Sequence, residues 1–335
     1  MKNQSSLVRL ENVSIGYKSH QIKVVKSGIT LEALPSELVA IIGENGVGKS
    51  TLLKTLGGFL APLKGDLKIG KKLIEEYSEK ELAKLLSYVS TEQIRVPNLN
   101  VYDLVSLGRY PHTNWFGKLM DEDRLLIEEA ILAVGLQGFE DRLVNNLSDG
   151  ERQKVMIARA LAQDTPIIIL DEPTAFLDLS NKFELVHILQ QLARIKGKTI
   201  LFSTHDLTTA IAESDRMWLM LKDTIQQGSP EDLILNGSFN ALFDQKQIDF
   251  DREKGDFKIR KMTNRFATVK GEGERLTWTT KALERNGILV AESTTVNAET
   301  FNIQIGINDW SVEHNSKKSR FTSLYSMCQY LRDLK

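Results

Sequence analysis

The chain has 335 residues, 41% hydrophobic and 26% charged, and a formal net charge of −1. At roughly 100–200 residues per domain, this length suggests about two domains with ordinary cores, and the neutral balance offers no global attraction to nucleic acid or an acidic partner. The single cysteine, Cys328, excludes an internal disulfide and fits a reducing cytoplasm, and no stretch approaches the ~18 apolar residues of a membrane span.

In chain order, the opening Met1-Lys2-Asn3-Gln4-Ser5-Ser6 has a basic residue but no apolar core, which argues against a secretory signal. Any membrane role would therefore come through a partner. Leu7–Tyr17 reads as a strand, and Leu38–Gly43 as a buried apolar strand that runs through a glycine-rich loop into a helix from Lys49 to about Gly57. Val101–Leu107 and Asp121–Val134 carry apolar residues at three- and four-residue spacing, and Ser148 to about Ala162 is a further helix with a start signal at Ser148-Asp149. Strands return at Ile167–Leu170, Thr199–Ser203 and Arg216–Leu221, separated by helices near Asn181–Ile195 and Leu207–Ala212, an alternation that implies a parallel sheet covered by helices. After about Ala241 the character changes. Asp249–Gly255 reads as a charged linker. Strands at Phe257–Met262, Phe266–Lys270 and Phe301–Ile307, a helix near Arg275–Arg285 and a closing helix Ser319–Leu334 then suggest a small α/β domain.

Gly43-Glu44-Asn45-Gly46-Val47-Gly48-Lys49-Ser50 matches G-x-x-x-x-G-K-[ST] between a strand and a helix. The glycines let backbone N–H groups turn toward phosphate oxygens and the helix N-terminus favours negative charge. Lys49 would reach the terminal phosphates and the Ser50 hydroxyl would help hold Mg²⁺. Asn45 and Thr51 complete the expected nucleotide contacts. Ile167–Leu170 ends in Asp171-Glu172, where a parallel sheet presents its ligand crevice. Asp171 is suited to the metal and Glu172 to polarising an attacking water as general base.

Further elements, in order, narrow this nucleotide site to one family. Leu147-Ser148-Asp149-Gly150-Glu151 resembles the L-S-G-G-Q signature of ABC ATPases, Gln93 their Q-loop glutamine, Ala175-Phe176-Leu177-Asp178 their D-loop, His205 their switch histidine, and Tyr17 the aromatic that stacks on adenine. Singly, Gln93 is an ordinary surface glutamine, His205 a structural histidine and Tyr17 a packing residue; their joint order over about residues 7–235 carries the resemblance. It implies a P-loop NTPase of the ABC ATPase type, an α/β fold with a mostly parallel sheet. The ATPase domain would span 1–243, with an inserted helical subdomain at about 92–160, and a C-terminal α/β domain 244–335, regulatory or dimer-supporting, would follow.

The resemblance also implies ATP and Mg²⁺ as ligands and a head-to-tail homodimer. The Ser148 hydroxyl and Gly150 N–H of one subunit would meet the γ-phosphate held by Gly43, Gly46, Gly48 and Lys49 of the other. His205 would bond the γ-phosphate and water, Gln93 would join Ser50 and Asp171 at the metal, and Asp178 would couple the two sites. Asp149 and Glu151 depart from the general signature. An acid aimed at the γ-phosphate would repel it, whereas one turned aside at a helix N-terminus is stabilised. L-S-D-G-E, with Leu107-Gly108-Arg109-Tyr110-Pro111-His112, is similar to the iron-chelate importer branch, whose cargoes are siderophores, ferric dicitrate, haem and cobalamin. That branch implies a polytopic permease as partner, a periplasmic or surface substrate-binding protein beyond it, and a place on the cytoplasmic face of the membrane.

Two other classes are weighed. A soluble ABC ATPase acting without a permease, on nucleic acid or ribosomes, is opposed by a single cassette, by the short Gly43–Leu147 interval without sustained heptads, and by neutral charge. A non-hydrolysing binding module is opposed by Lys49, Asp171, Glu172 and His205 together. In the C-terminal region, Gly271-Glu272-Gly273 is too short for a phosphate loop, Lys317-Lys318-Ser319-Arg320 reads as a solvated surface or helix start, and Cys328 reads as core.

Overall fold

The computed structural model describes residues 6–18, 21–90, 98–113, 117–175, 177–242, 248–251, 255–259, 263–291 and 299–334. The chain divides into two units, Met1–Asp244 with Arg252–Asp256, and Gln245–Asp251 with Phe257–Lys335.

The first unit contains β1 (Val8–Lys18), β2 (Ile22–Ala33), β3 (Leu38–Gly43), β4 (Lys64–Ile69), β5 (Lys72–Leu73), β6 (Leu86–Val89), β7 (Ile167–Leu170), β8 (Thr199–Ser203), β9 (Arg216–Met220) and β10 (Ile225–Gly228). Six of them form one sheet in the order β10-β9-β3-β8-β7-β6, parallel except for β10 against β9. β3, β7 and β8 are buried along their whole length, as expected for unbroken apolar runs covered on both faces. Val39, Ile41, Ile167, Ile169, Leu201 and Trp218 of this sheet share one core with Leu52, Leu53 and Leu56 of the helix Lys49–Leu56. The helices Leu179–Lys196 and Leu207–Glu213 also lie against the sheet.

The same core takes in a second, antiparallel sheet, β2-β1-β4-β5, through Leu10, Ile15, Ile29, Leu31 and Leu67. The expected first strand therefore lies outside the parallel sheet. Its long partner β2 escaped sequence reading for a physical reason: the β1–β2 register shifts three times, which breaks the period-two alternation, and Ile22 and Val24 are exposed.

Between β6 and β7, helices Val101–Ser106, Asp121–Ala133 and Asp149–Ala162 pack on one another. The segment Leu107–His112 clamps them. Gly108 passes so close to the helix Asp149–Ala162 that an added Cβ would lie 2.2 Å from the Arg159 carbonyl oxygen. Arg109 is buried, donates from Nε to Asp123 Oδ1 at 2.7 Å and from Nη1 to the Ala162 carbonyl at 2.8 Å. Burial alone would raise the Asp123 pKa, but the Met120 N–H and the Arg109 guanidinium outweigh it and hold the carboxyl below the ordinary range. His112 Nε2 donates to the Gln163 carbonyl at 3.0 Å, and the Gln163 amide reaches the carbonyls of Ala83 and Leu86.

The second unit adds β11 (Ile248–Asp251), β12 (Asp256–Ile259), β13 (Arg265–Lys270), β14 (Leu289–Val290), β15 (Glu299–Ile305), β16 (Trp310–His314) and β17 (Lys317–Phe321). β11 pairs with β12, and the other five form a sheet in the order β14-β13-β15-β16-β17. The helix Gly273–Arg285 links the parallel strands β13 and β14, and both it and the helix Leu324–Asp333 contribute to a core with Phe301, Val312, Met327, Cys328 and Leu331. Cys328 is buried among them.

Two expectations are corrected in this region. Asp249–Gly255 is not all linker, because Ile248 and Phe250 alternate with Asp249 and Asp251 in β11, and Phe250 is buried. The expected closing helix Ser319–Leu334 begins as strand β17 and becomes helical only at Leu324, with Ser323 as its cap. The basic run Lys317–Arg320 lies on β17, an edge strand, where charge discourages unwanted pairing.

Breaking a buried ion pair strands one charge in a poorly solvating interior. Arg109→Ala is therefore expected to destabilise the first unit by about 3 kcal/mol, measured by denaturant titration. Because the folded Asp123 pKa is depressed, its contribution is present above the unfolded carboxylate value of about 3.9 and is lost as pH falls through the lowered folded value. The difference between parent and variant should accordingly shrink only in strong acid.

Candidate active site

Parallel pairing decides where the reacting groups meet. Ile41 of β3 is opposite Ser203 of β8, and Leu170 of β7 is opposite Phe202. The loop after β3, the carboxylates after β7 and His205 after β8 thus leave the sheet at one edge, the C-terminal crevice where such sheets bind ligands.

The loop Gly43–Ser50 needs its glycines. At Gly43 a Cβ would come within 2.6 Å of the Met220 carbonyl oxygen. Gly46 and Gly48 have φ of 81° and 112°, and at Gly48 a Cβ would also lie 2.7 Å from Val25 Cγ1. Gly48 is the N-cap of the helix Lys49–Leu56, whose first N–H groups point out of the loop. Asn45, Gly46 and Ser50 are exposed there, while Lys49 and Thr51 are buried. The Lys49 ammonium donates to the carbonyls of Gly43 at 2.9 Å and Glu44 at 3.2 Å. Burial pulls its pKa below the ordinary lysine range, opposed in part by the Glu172 and Asp171 carboxylates. Tyr17 is 42% exposed at the end of β1, with its hydroxyl 3.1 Å from Thr51 Oγ1. Its ring is thus held beside the loop.

Asp171 is buried, and its Oδ1 accepts a hydrogen bond from the Ser203 hydroxyl at 2.7 Å. Glu172 has φ of 48°, a left-handed conformation that costs a non-glycine residue about 1–3 kcal/mol and tends to mark functional sites. Its N–H donates to Ser203 Oγ at 2.8 Å, and its Oε1 lies 2.6 Å from His205 Nε2. A carboxylate can only accept, so this nitrogen carries the proton. The site therefore brings together Lys49, Asp171, Glu172 and His205. Gln93 and Phe176 lie outside the described residues. In the sequence Ser203 is only a strand end, and its place two residues before His205 is the one signal of more.

The signature turn is closed by its own acids. Ser148 caps the helix Asp149–Ala162 in a reciprocal box: the Glu151 N–H donates to Ser148 Oγ at 3.3 Å, and Glu151 Oε2 accepts from the Ser148 N–H at 2.8 Å and hydroxyl at 2.7 Å. The Ser148 hydroxyl and N–H together hold the Glu151 carboxyl below its usual range. Asp149 turns to Arg152 at 2.8 Å, and Arg152 also donates to the Leu147 carbonyl. Both departures from the general signature are thus bonded within the turn. Asp178 caps the helix Leu179–Lys196 by accepting from the Asn181 N–H at 2.8 Å and amide at 3.0 Å. Asn181 in turn packs on Gly150, where a Cβ would lie 3.3 Å from Asn181 Cγ, and Lys154 pairs with Glu184 at 2.7 Å. Signature turn and D-loop cap are one packed assembly within the chain.

The chain matches the family described as ABC transporter over residues 27–175 and the iron ABC transporter C-terminal domain over residues 264–332. It is similar to an uncharacterised ABC transporter ATP-binding protein of Methanocaldococcus jannaschii, 40% identical over 76% of this chain and 87% of that one. It is also similar to the iron(3+)-hydroxamate import ATP-binding protein FhuC of Bacillus subtilis, 35% identical over 71% and 87%. Among solved structures it is similar to the dimeric bacterial ABC transporter cassette MJ0796, with a TM-score of 0.59 and 27% identity over 67% of this chain and all but a few residues, 98%, of that one.

Gly48→Ala introduces both a strained φ and a close approach to Val25. It is expected to weaken nucleotide binding by at least about tenfold and to cost about 1–3 kcal/mol of stability, read by titration with a fluorescent ATP analogue and by thermal unfolding.

Proposed function

This chain belongs to the ABC transporter family of ATPases, and from that premise we propose that it is the nucleotide-hydrolysing subunit of an importer for an iron chelate, such as a siderophore, ferric dicitrate or haem, or for cobalamin. The observation that carries the ATPase part is the single cluster of Lys49, Asp171, Glu172 and His205 at the C-terminal edge of the parallel sheet. The iron-chelate part is supported by the match of residues 264–332 to the iron ABC transporter C-terminal domain and by the hydroxamate-import relative.

In this reading the loop Gly43–Ser50, with Thr51, binds the phosphates of ATP, and Tyr17 stacks on adenine. Lys49 exchanges its loop carbonyls for the β- and γ-phosphates. The oxygens of Ser50 and Asp171 suit Mg²⁺, a hard cation that takes hydroxyl and carboxylate donors, and Gln93 is the proposed third ligand. Bound there, Mg²⁺ would neutralise charge developing on the phosphates. Glu172 takes a proton from the attacking water, and His205, whose Nε2–H lies on that carboxylate here, exchanges it for the γ-phosphate when nucleotide binds. Two chains meet head to tail, so that Ser148 and the Gly150 N–H face the partner's γ-phosphate and stabilise transition-state charge. Asp178, bonded to the Asn181 that packs on Gly150, carries changes between the two sites.

Among the described residues no helix is long and apolar enough to cross a membrane. The proposed assembly, by its likeness to the hydroxamate-import relative, has this homodimer on polytopic permease subunits at the cytoplasmic face, with a separate substrate-binding protein delivering the cargo. The second unit, Gln245–Asp251 with Phe257–Lys335, is proposed to support the dimer or regulate its closure.

Glu172→Gln should keep ATP binding and lose turnover by about 10²-fold or more, in an assay of phosphate release. Normal turnover would remove Glu172 from its role. Ser148→Arg and Lys49→Ala chains, each inactive alone, should regain one competent site in each mixed dimer, about half the dimers of a 1:1 mixture, because each supplies what the other lacks. Transport itself is tested by purifying the tagged Glu172→Gln chain with ATP in detergent from cells expressing its genomic neighbours. Capture of a polytopic permease supports import, whereas recovery alone, or with ribosomes or DNA, favours a soluble ATPase.

A further inference from the structure

Ser203 ends β8, is fully buried, and uses its one hydroxyl in both directions. The hydroxyl donates to Asp171 Oδ1 at 2.7 Å and accepts the N–H of Glu172 at 2.8 Å. Two consecutive residues on β7's end, one assigned to the metal and one to the attacking water, thus hang on a single oxygen of the neighbouring strand. The hydroxyl matters most at Glu172, because a φ of 48° is held only where surrounding bonds over-determine it. The chain that supplies this oxygen supplies His205 two residues later, on the Glu172 side chain at 2.6 Å. Backbone and side chain of Glu172 are therefore gripped by the same short segment, 203–205.

Beside it, the hydroxyls of Thr174 and Thr204 lie 3.4 Å apart, and Thr204 Oγ1 accepts from the Asp206 N–H at 3.0 Å. The loops after β7 and β8 are thereby also joined away from the carboxylates, and Ser203 is the residue of segment 203–205 that reaches both Asp171 and Glu172.

We propose that Ser203 is a positioning residue for ATP hydrolysis: its hydroxyl sets the Asp171 carboxylate and the Glu172 peptide together, so that metal ligand and base keep one mutual geometry. The assignment rests on the roles proposed above for Asp171 and Glu172. A serine that merely filled the strand end would be replaceable by any side chain of its shape, whereas a positioning serine needs its oxygen.

The full chain is compared with Ser203→Ala, Ser203→Val and Ser203→Thr, the last two having nearly the same shape and differing in the hydroxyl. Steady-state turnover is measured together with equilibrium binding of a fluorescent ATP analogue, in EDTA and in Mg²⁺. Ser203→Ala and Ser203→Val are expected to lower kcat by about 10- to 100-fold with KM within about twofold, as for a lost hydrogen bond to a charged group. Binding in EDTA should stay within about twofold of the parent, while the tightening on adding Mg²⁺ should shrink, and Ser203→Thr should keep at least about fivefold more kcat than Ser203→Val. The proposal is overturned if Ser203→Ala retains kcat within about twofold, if Ser203→Thr and Ser203→Val behave alike, or if binding in EDTA falls in step with kcat. Glu172→Gln in the same assays separates the two levels: if it keeps turnover, the proposed base falls and this role of Ser203 with it. If it loses turnover and Ser203→Ala does not, only the role of Ser203 falls.

Discussion

Strand β8 is hydrogen-bonded to β3 on one side and to β7 on the other, and the site depends on that pairing. The phosphate loop leaves β3 and the carboxylates leave β7, so the groups that hold and cleave a phosphate are separated by two strand spacings, about 10 Å. Only side chains reaching inward from both sides, with a third set rising from β8 between them, can close such a gap. Lys49 reaches from one side, Asp171 and Glu172 from the other, and Ser203 and His205 stand in the middle. All three strands are buried along their whole length, and close packing on both faces holds them in place.

Charge is managed by the same local logic throughout. Near the phosphate loop the ammonium of Lys49 is desolvated and directed at backbone carbonyls, a position from which phosphate oxygens are better partners than the carbonyls it leaves. At the signature turn, where an acid aimed at phosphate would repel it, Asp149 and Glu151 are bonded to Arg152 and Ser148. The helix N-terminus there keeps its positive end, and the acids stabilise the turn that presents it. Arg109 and His112 hold the other end of the same helix, at Ala162 and Gln163, and Gln163 ties it to the edge of β6. The signature helix is thus fixed at both ends by polar contacts and along its length by apolar ones.

Much of this is legible in the sequence. The phosphate loop, the strand ending in Asp171-Glu172 and the turn beginning at Ser148 are local patterns, in which neighbouring residues decide the backbone. The parallel alternation and the change of character near Ala241 were legible for the same reason. Several strands were not, among them β2, β4, β6, β10, β16 and β17: β2 is out of phase with β1 at its bulges, and β17 is an edge strand whose basic residues read equally well as a helix start. β11 hid behind its aspartates, which occupy the alternate positions of a strand whose other residues are Ile248 and Phe250.

The sequence by itself determined which chemical groups this protein has and which local turns present them, since caps, glycine conformations and apolar runs depend on residues a few positions apart. Tertiary structure alone decided who meets whom across long separations. It set Ser203 against Asp171 and Glu172 from 32 and 31 positions away, and Tyr17 against Thr51 from 34. It also placed Asn181 on Gly150 and Arg109 against Asp123. Such pairings depend on strand order and helix packing, which follow from burying one common core and which no spacing along the chain encodes.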